Sequence, residues 1–485
     1  GQDAILAREE ERLSGAAREL SALRGEVASD AVADYFLRKK VLVGYETAVA
    51  GLLGLTSARD SLRGVAAQLD GIDFRLPRID VAQRYFLDYD SIAFSATPKY
   101  SYQHPIPECR VYEHGTIYRI LLGTFNTKRA VSTFRGAYPL SYLVGEDKKW
   151  CYYAGGFATR EEAEAALLRP GATLASGAGN RARPEEPDAE RTCFQRDRDR
   201  IVHSTAFRRL AGKTQVVVFP TDHQRTRLTH ALEVAQVATS IARGIGANAS
   251  LAEAIALGHD CGHGPGGHAS EDAFDAFIPG GYDHGPWGAD VVLASLNLCA
   301  ETLDGIRNHS WSRPAPATIE GEIVSWADRI AYCAHDLEDA AGAGIVSLTD
   351  LPAEVSQVCG TSRREQLATF VRSVVAATAS SGTVGMAPDA AAALAGLRAF
   401  NYERIYTRPE SLAQSRAVIA VLTALVDFYT DRPDRLPEDL RATLDGDQAR
   451  VRAAVTYVGG MTDRFAFEAA RTLLGWDPDR LPKGQ

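Results

Sequence analysis

Apolar positions recur at helical spacing from the start of the chain. Over residues 4–28, Leu6, Leu13, Leu20 and Leu23 fall on one side and many Glu and Arg on the other, which predicts an amphipathic helix. Two further helical stretches are predicted over 30–54 and 56–69. Their heptad-like spacing is too short to require a coiled coil, so the expectation for 1–72 is a helical hairpin packed on its own domain. The pattern changes near residue 72, where aromatics, β-branched residues and turn formers take over. Residues 118–125 alternate as a strand does, and 149–157 read as another. Thr159 with Glu162 forms a capping box that opens a helix over 159–168. Residues 169–190, rich in Gly, Pro and Ser, predict a linker or mobile loop. Helical periodicity returns at Thr192 and runs to about Trp476, with strand-like material only around Gln215–Phe219.

Strand, helix, strand, helix over 73–168 predicts a small α+β domain. The Gly-x-Phe after one strand and Gly155-Gly-Phe-Ala-Thr-Arg-Glu-Glu-Ala163 after the other resemble SPOR-type repeats over about 95–168. That family binds septal peptidoglycan outside the cytoplasm, and here the resemblance implies a fold only.

Composition narrows the class. Of 485 residues, 45% are apolar and 24% charged, as in a globular protein with ample core material. The length predicts two or three folding units. With 62 acidic against 53 basic side chains and a net charge of −9, a surface that grips nucleic acid throughout is not expected, although a local basic pocket is. No apolar run is expected to reach the roughly 20 residues that span a bilayer, so no membrane partner is expected. The charged stretch Arg8–Arg12 stands where a secretory signal would be apolar. The seven cysteines are scattered, with no CxxC pair, which predicts buried thiols in a reducing compartment and a cytoplasmic location.

The chemistry concentrates in one window. His230, His259, His263, His268 and His284 are five of the eleven histidines in the chain. His230 lies early in a predicted helix, and the adjacent pair His259-Asp260 lies at the end of the next. A helix terminus lets neighbouring side chains turn toward one ion. With a carboxylate from a later helix, such a set of mixed nitrogen and oxygen donors suits a divalent ion of the Mn, Mg, Zn, Fe, Ni or Co class. Such an ion polarises a phosphoryl oxygen and lowers the pKa of a bound water.

Long motifs carry a specific resemblance. Phe194-Gln-Arg-Asp-Arg-Asp-Arg-Ile-Val-His-Ser204, Phe207-Arg-Arg-Leu-Ala-Gly-Lys-Thr-Gln-Val216, Arg225-Thr-Arg-Leu-Thr-His230, Ala327-Asp-Arg-Ile-Ala-Tyr-Cys-Ala-His-Asp-Leu-Glu-Asp339 and Gly460-Met-Thr-Asp-Arg-Phe-Ala466 stand in the order found in the HD-domain superfamily. Within it, the chain resembles the deoxyguanosinetriphosphate triphosphohydrolase-like proteins from Phe194 to about Trp476. The resemblance implies a mainly α fold: an all-helical HD-domain module over 191–485, preceded by the N-terminal helices and the small α+β domain. It implies metal-dependent hydrolysis of dGTP or other dNTPs to deoxynucleoside and inorganic triphosphate, through metal-activated water attacking the α-phosphorus. His230, His259, Asp260 and Asp328 match the metal ligands. His268 and Glu271 match the pair implicated in proton transfer, and His263 and His284 match further phosphate-facing histidines. Tyr332 and Asp336, four apart and so on one helical face, match residues that contact the sugar and leave no room for a 2′-hydroxyl. Homo-oligomers and nucleotide or single-stranded DNA effectors are implied as well.

A triphosphate needs local positive charge, for which Arg208, Arg209, Lys213, Arg225, Arg227 and Arg329 are candidates, with Gln215 beside them. Arg227 precedes His230 by three positions and so shares its helical face. His203, His223, His309, Trp311 and Trp326 read as packing or capping residues. Where the family carries phenylalanine, this loop reads His263-Gly-Pro-Gly-Gly-His268, so Gly266 is expected to loosen the segment that presents His268. Gly285-Pro-Trp-Gly288 also departs from the family pattern. Rival readings are an HD phosphohydrolase acting on nucleoside monophosphates or (p)ppGpp-like nucleotides, and a nucleotide-sensing binding module.

Overall fold

The computed structural model describes residues 6–8, 10–15, 26–71, 90–109, 116–215, 224–441 and 445–482. The chain divides into two compact units, Gly1–Ala166 and Leu167–Gln485.

In the first unit, α1 (Glu26–Leu52) and α2 (Thr56–Asp70) pack on each other as a hairpin, with an ion pair between Lys40 and Asp70. Residues 6–8 and 10–15 are helical, and the rest of the helix predicted over 4–28 lies outside the described residues until α1 begins. The strands are β1 (Ala93–Phe94), β2 (Tyr118–Phe125), β3 (Ala137–Tyr138), β4 (Leu140–Val144) and β5 (Trp150–Phe157), followed by the short helix α3 (Arg160–Ala165). The main sheet is antiparallel in the order β2-β5-β4, with Phe125 opposite Trp150 and Val144 opposite the same residue. Leu140, Tyr152, Ala154, Phe134 and Ile106 form its core. The capping box of Thr159 and Glu162 forms as expected. The expected strand–helix–strand order does not: between β2 and β5 the chain makes a 3-10 turn at Val131–Phe134 and two more strands. Ser, Thr and Gly in that stretch favour turns over a helix.

The second unit holds α4 (Cys193–His203), α5 (Thr205–Arg209), α6 (Arg227–Ile245), α7 (Ala249–Gly258), α8 (His268–Asp275), α9 (His284–Trp287), α10 (Ala300–Asn308) and α11 (Ile319–Gly342). It continues with α12 (Ala353–Cys359), α13 (Arg363–Ser381), α14 (Pro388–Asn401), α15 (Pro409–Asp431), α16 (Glu438–Arg441), α17 (Gly446–Gly459) and α18 (Asp463–Leu474). No strand longer than an isolated bridge occurs among its described residues. Of the strand-like piece around 215–219, all but Gln215 lies outside the described residues.

Two apolar cores build this unit. The larger packs the buried faces of α4, α6, α7, α10, α11, α13 and α14, including Ile201, Val234, Ile255, Ile306 and Ile330. The smaller joins α15, α17 and α18 through Val421, Leu425, Val458 and Phe467, with Phe274 and Trp287. Against the expectation from the sequence, α15 has the length and apolar composition of a membrane-spanning helix. Here Val418, Val421, Leu422, Leu425, Val426 and Tyr429 on that helix are buried in the smaller core.

Residues 169–190 are not a free linker. Thr173 donates from Oγ1 to Glu320 Oε2 at 2.7 Å, and the same buried carboxylate accepts from Asn248 N at 2.8 Å. Arg181 pairs with Asp197 at 2.6 Å, both side chains sealed from solvent, and also donates to the carbonyls of Cys193 and Asn297. Gly and Pro bend this segment tightly, but buried charges fix it to the helices.

Candidate active site

Four elements converge on one point. Thr226 caps α6 in a reciprocal capping box with Thr229, which sets the first turn that carries Arg227 and His230. α7 ends at Gly258, where a Cβ would lie 2.5 Å from Ile306 Cδ1, so α10 packs directly under the His259-Asp260 corner. α11 brings Asp328. His230 Nε2 lies 3.0 Å from Asp328 Oδ1, and His259 Nε2 lies 3.4 Å from Asp260 Oδ1 and 3.7 Å from Asp328 Oδ1.

The donor set fits a divalent ion. His259 Nδ1 donates to the Ala256 carbonyl at 2.6 Å, which leaves the Nε2 lone pair facing the centre, buried and without a hydrogen-bond partner. Burial alone would raise the Asp260 carboxyl, but Arg227 and the imidazoles of His259 and His263 hold it well below its ordinary range. Asp328 is likewise held low, against burial, by His230 and His259. His230, although buried, is raised by the Asp328 carboxylate. Two carboxylates kept ionised beside imidazole nitrogens are what a borderline metal ion requires.

Beside this set lies a second cluster. Glu271 Oε1 is 3.0 Å from His268 Nδ1, 3.3 Å from His263 Nδ1 and 2.8 Å from His284 Nδ1. The rings of His263 and His284 stack with centroids 3.8 Å apart. Burial opposes ionisation of Glu271, yet its bonds to His268 and His284 hold it far below the usual carboxylate range. His284 is raised despite burial by that carboxylate, while His263 is pushed well down by burial, Arg227 and His284.

A cavity of about 700 Å³ opens onto both clusters. Its walls include Gln215, Arg227, His230, Asp260, His263, His268, His284, Asp328, Arg329, Tyr332 and Asp336. The sequence-expected residues outside that wall have other partners. Arg208 is exposed and bonds to His203 O and Thr205 Oγ1. Lys213 is buried, pushed down to about 8 by that burial, and donates to the carbonyls of His263 and Gly459. Arg225 is neutralised by Glu233, Glu338 and Asp339. His223 lies outside the described residues.

The glycine-rich loop is pinned, not loosened. Gly266 N donates to Asp463 Oδ1 at 2.9 Å, and Asp463 Oδ2 accepts from Thr214 N and Oγ1. Gly264 N donates to Ser270 Oγ, and Tyr282 OH to Gly262 O at 2.6 Å. Gly266 has φ +74°, and a Cβ there would stand 2.5 Å from Val418 Cγ1. A Cβ on Gly262 would stand 2.0 Å from the His284 carbonyl, so the two loops meet backbone to backbone.

Several cavity residues escaped sequence reading. His309 is buried at the cavity, with Nε2 3.1 Å from His284 Nε2. Trp311 is 46% exposed, not core, with the Arg329 guanidinium 3.5 Å over its ring. Tyr406 donates to Asp336 Oδ2 at 2.5 Å, and Arg398 Nε donates to Tyr332 OH at 3.0 Å. Tyr402 and Tyr406 lie on a π-helical turn, Tyr402–Tyr406, a distortion that often marks functional sites. Arg398, Tyr402 and Tyr406 recur at the same four-residue step as Asp328, Tyr332 and Asp336, the one signal that could have found them.

Comparisons with known proteins agree with this geometry. A family model for the HD domain matches residues 227–333, and one for the phosphohydrolase-associated domain matches 384–472. A deoxyguanosinetriphosphate triphosphohydrolase-like protein of Caldanaerobacter subterraneus is 41% identical over 313 residues, covering 63% of this chain and 92% of that one. The chain belongs to the deoxyguanosinetriphosphate triphosphohydrolase-like family. A family member from Clostridium perfringens is 39% identical over 301 residues, covering 59% of this chain and 87% of the other. One from Desulfatibacillum aliphaticivorans is 36% identical over 330 residues, covering 63% and 94%. Both family models fall inside the second unit, which makes that unit the HD phosphohydrolase module.

Proposed function

We propose that the chain is a metal-dependent dNTP triphosphohydrolase that splits dGTP or another dNTP into deoxynucleoside and inorganic triphosphate. The observation that carries this reading is on α11. Asp328, Tyr332 and Asp336 occupy successive turns of one helix face, and all three line the same cavity. Asp336 gives Oδ2 to the Tyr406 hydroxyl, while its Oδ1 is buried without a hydrogen-bond partner. A buried acceptor left open at the cavity fits a sugar 3′-hydroxyl, because an unmet polar group there costs about 1–3 kcal/mol. Tyr332, held by Arg398, supplies the flat wall that crowds out a 2′-hydroxyl.

His230, His259, Asp260 and Asp328 would hold the divalent ion, of unassigned identity, which when bound polarises phosphoryl oxygen and acidifies water. Arg227 orients Asp260 and, with Arg329, Arg398 and Arg408, lends positive charge to the cavity wall. Glu271 fixes His268 at Nδ1, which leaves Nε2 of that exposed ring to carry a proton to the leaving 5′-oxygen. His263 and His284 face the phosphates. Lys213 and Arg208 bind no substrate in this reading. Assembly as a homo-oligomer, with nucleotide or single-stranded DNA effectors, rests on the family resemblance. Seven free cysteines and a nucleotide substrate suit a cytoplasmic location.

The test is a panel of dNTPs with single divalent ions, analysed for products. Tripolyphosphate with free deoxynucleoside is expected. Release of monophosphate or pyrophosphate instead, or turnover of nucleoside monophosphates alone, would overturn the reading.

A further inference from the structure

Four guanidinium groups reach the cavity wall, and three of them are already engaged. Arg227 is bound to Asp260, Arg398 to the Tyr332 hydroxyl and Arg408 to the Ser411 hydroxyl. Arg329 makes no hydrogen bond or ion pair among the described residues, and its Nε is buried without a partner. Its neighbour is an aromatic ring: the guanidinium carbon lies 3.5 Å from the ring centroid of Trp311. A carbon that close to the ring centre leaves no room for a nitrogen in between, so the guanidinium lies flat on the indole. Its in-plane N–H groups then point past the ring edge.

The indole is itself held in place. Trp311 Nε1 donates to Ser325 O at 3.1 Å, and the ring meets Trp326 edge-to-face with centroids 4.7 Å apart. Arg313 N donates to Ser310 O, and Ala317 N to Asp304 Oδ2, which ties down the loop between α10 and α11. Position along α11 decides which part of a substrate this cation meets. Arg329 follows Asp328, whose carboxylate faces His230 and His259. Tyr332 and Asp336 lie one and two turns further on, which puts Asp336 roughly 10 Å away along the axis. With the sugar at Asp336 and the α-phosphorus at the HD set, Arg329 stands at the phosphate end.

We propose that Trp311 is a positioning residue of the hydrolytic site, holding Arg329 flat so that its free edge takes phosphoryl oxygens of the triphosphate. The proposal rests on the hydrolase reading for the direction in which the substrate lies, and adds the residue that orients the phosphate clamp. Paired N–H groups on one edge of a guanidinium match two oxygens of a phosphate. An unpaired arginine would otherwise lose rotamer freedom on binding, and the stack removes that freedom beforehand. It does so without a carboxylate that the phosphate would have to displace.

The experiment uses the full chain loaded with Mn(II) and follows, by calorimetry, the binding of inorganic tripolyphosphate and of each of the four deoxynucleosides. Trp311→Leu, checked for native circular dichroism, should weaken tripolyphosphate binding roughly 2- to 30-fold, the range of a cation–π contact, and leave deoxynucleoside binding unchanged. Trp311→Phe keeps an aromatic face and should recover most of the loss. In an Arg329→Met background, Trp311→Leu should have little further effect, because the group it orients is gone. Equal weakening of both kinds of probe, additive effects in the double variant, or unchanged tripolyphosphate binding by folded Trp311→Leu would overturn the proposal. Binding needs no turnover, so the two readings fail separately. The expected binding pattern without tripolyphosphate release from any dNTP would sink the substrate assignment alone. Release by an enzyme indifferent to Trp311 would sink this one alone.

Discussion

Arg227 Nη1 lies 2.6 Å from Asp260 Oδ2, and both side chains are buried at the edge of the cavity. A carboxylate expected to hold a metal is thus already held by a guanidinium on its far oxygen. Removal of one partner from a buried pair leaves an uncompensated charge and costs about 3–5 kcal/mol. Arg227→Ala should therefore lower the urea-unfolding free energy of the metal-free protein by about that amount. A divalent ion can supply the missing charge, so the deficit should shrink at saturating Mn(II). An equal deficit with and without metal would count against Asp260 as a ligand.

Asp336 is raised by burial to about 7, an effect that the Tyr406 hydroxyl partly offsets. An ionised Asp336 is the better acceptor for a sugar hydroxyl, so kcat/KM should climb with pH on a limb centred near 7. Tyr406→Phe removes the bond that lowers this value, and the limb should move to higher pH. The stability sign runs the other way. A buried carboxyl with a raised pKa destabilises the fold once the pH passes its unfolded value, and fully so above about 7. Asp336→Asn should therefore raise Tm relative to the unsubstituted chain at pH 8 and lose that advantage at pH 4. A pH-independent difference in Tm would argue against a buried titrating group.

Gly266→Ala should destabilise the fold. The left-handed backbone costs about 1–2 kcal/mol for a residue with a Cβ, and the contact with Val418 adds to it. Gly266→Ala combined with Val418→Ala should recover part of the loss in a thermal melt, whereas simple additivity would mean the two sites do not touch.

Residues 167–485 expressed alone should fold and retain phosphohydrolase activity, since both family models and the whole cavity lie within that unit. A start at residue 191 should fold worse, because it discards Thr173 and Arg181, which fill the buried acceptors of Glu320 and Asp197. Equal melting of the two fragments would contradict the anchoring of 169–190.

The helical pattern and the clustering of His230, His259 and Asp260 were legible because they depend on local spacing: α1, α2, β2 and the Thr159–Glu162 cap stand close to where the local pattern puts them. What was not legible depends on distant partners. Nothing near Lys213 announces that its ammonium caps the carbonyls of His263 and Gly459, the latter 246 residues away. The same holds for Asp463, whose bonds to Thr214 and Gly266 stiffen a loop that its glycines alone would loosen. Composition marked 169–190 as a linker, since the buried Arg181–Asp197 ion pair and the Thr173 hydrogen bonds to Glu320 leave no local trace. His309 looked like packing because the neighbour that gives it meaning, His284, arrives from another helix.

Asp328, Tyr332 and Asp336 ride on one rigid rod. A change that turns α11 to suit a different sugar also turns the Asp328 carboxylate away from His230 and His259, so that wall is closed to gradual drift. The π-helical turn that brings Tyr402 to the cavity lies outside α11 and is free of that constraint. Divergence in nucleobase preference among relatives of this chain should therefore accumulate there, while α11 keeps its register.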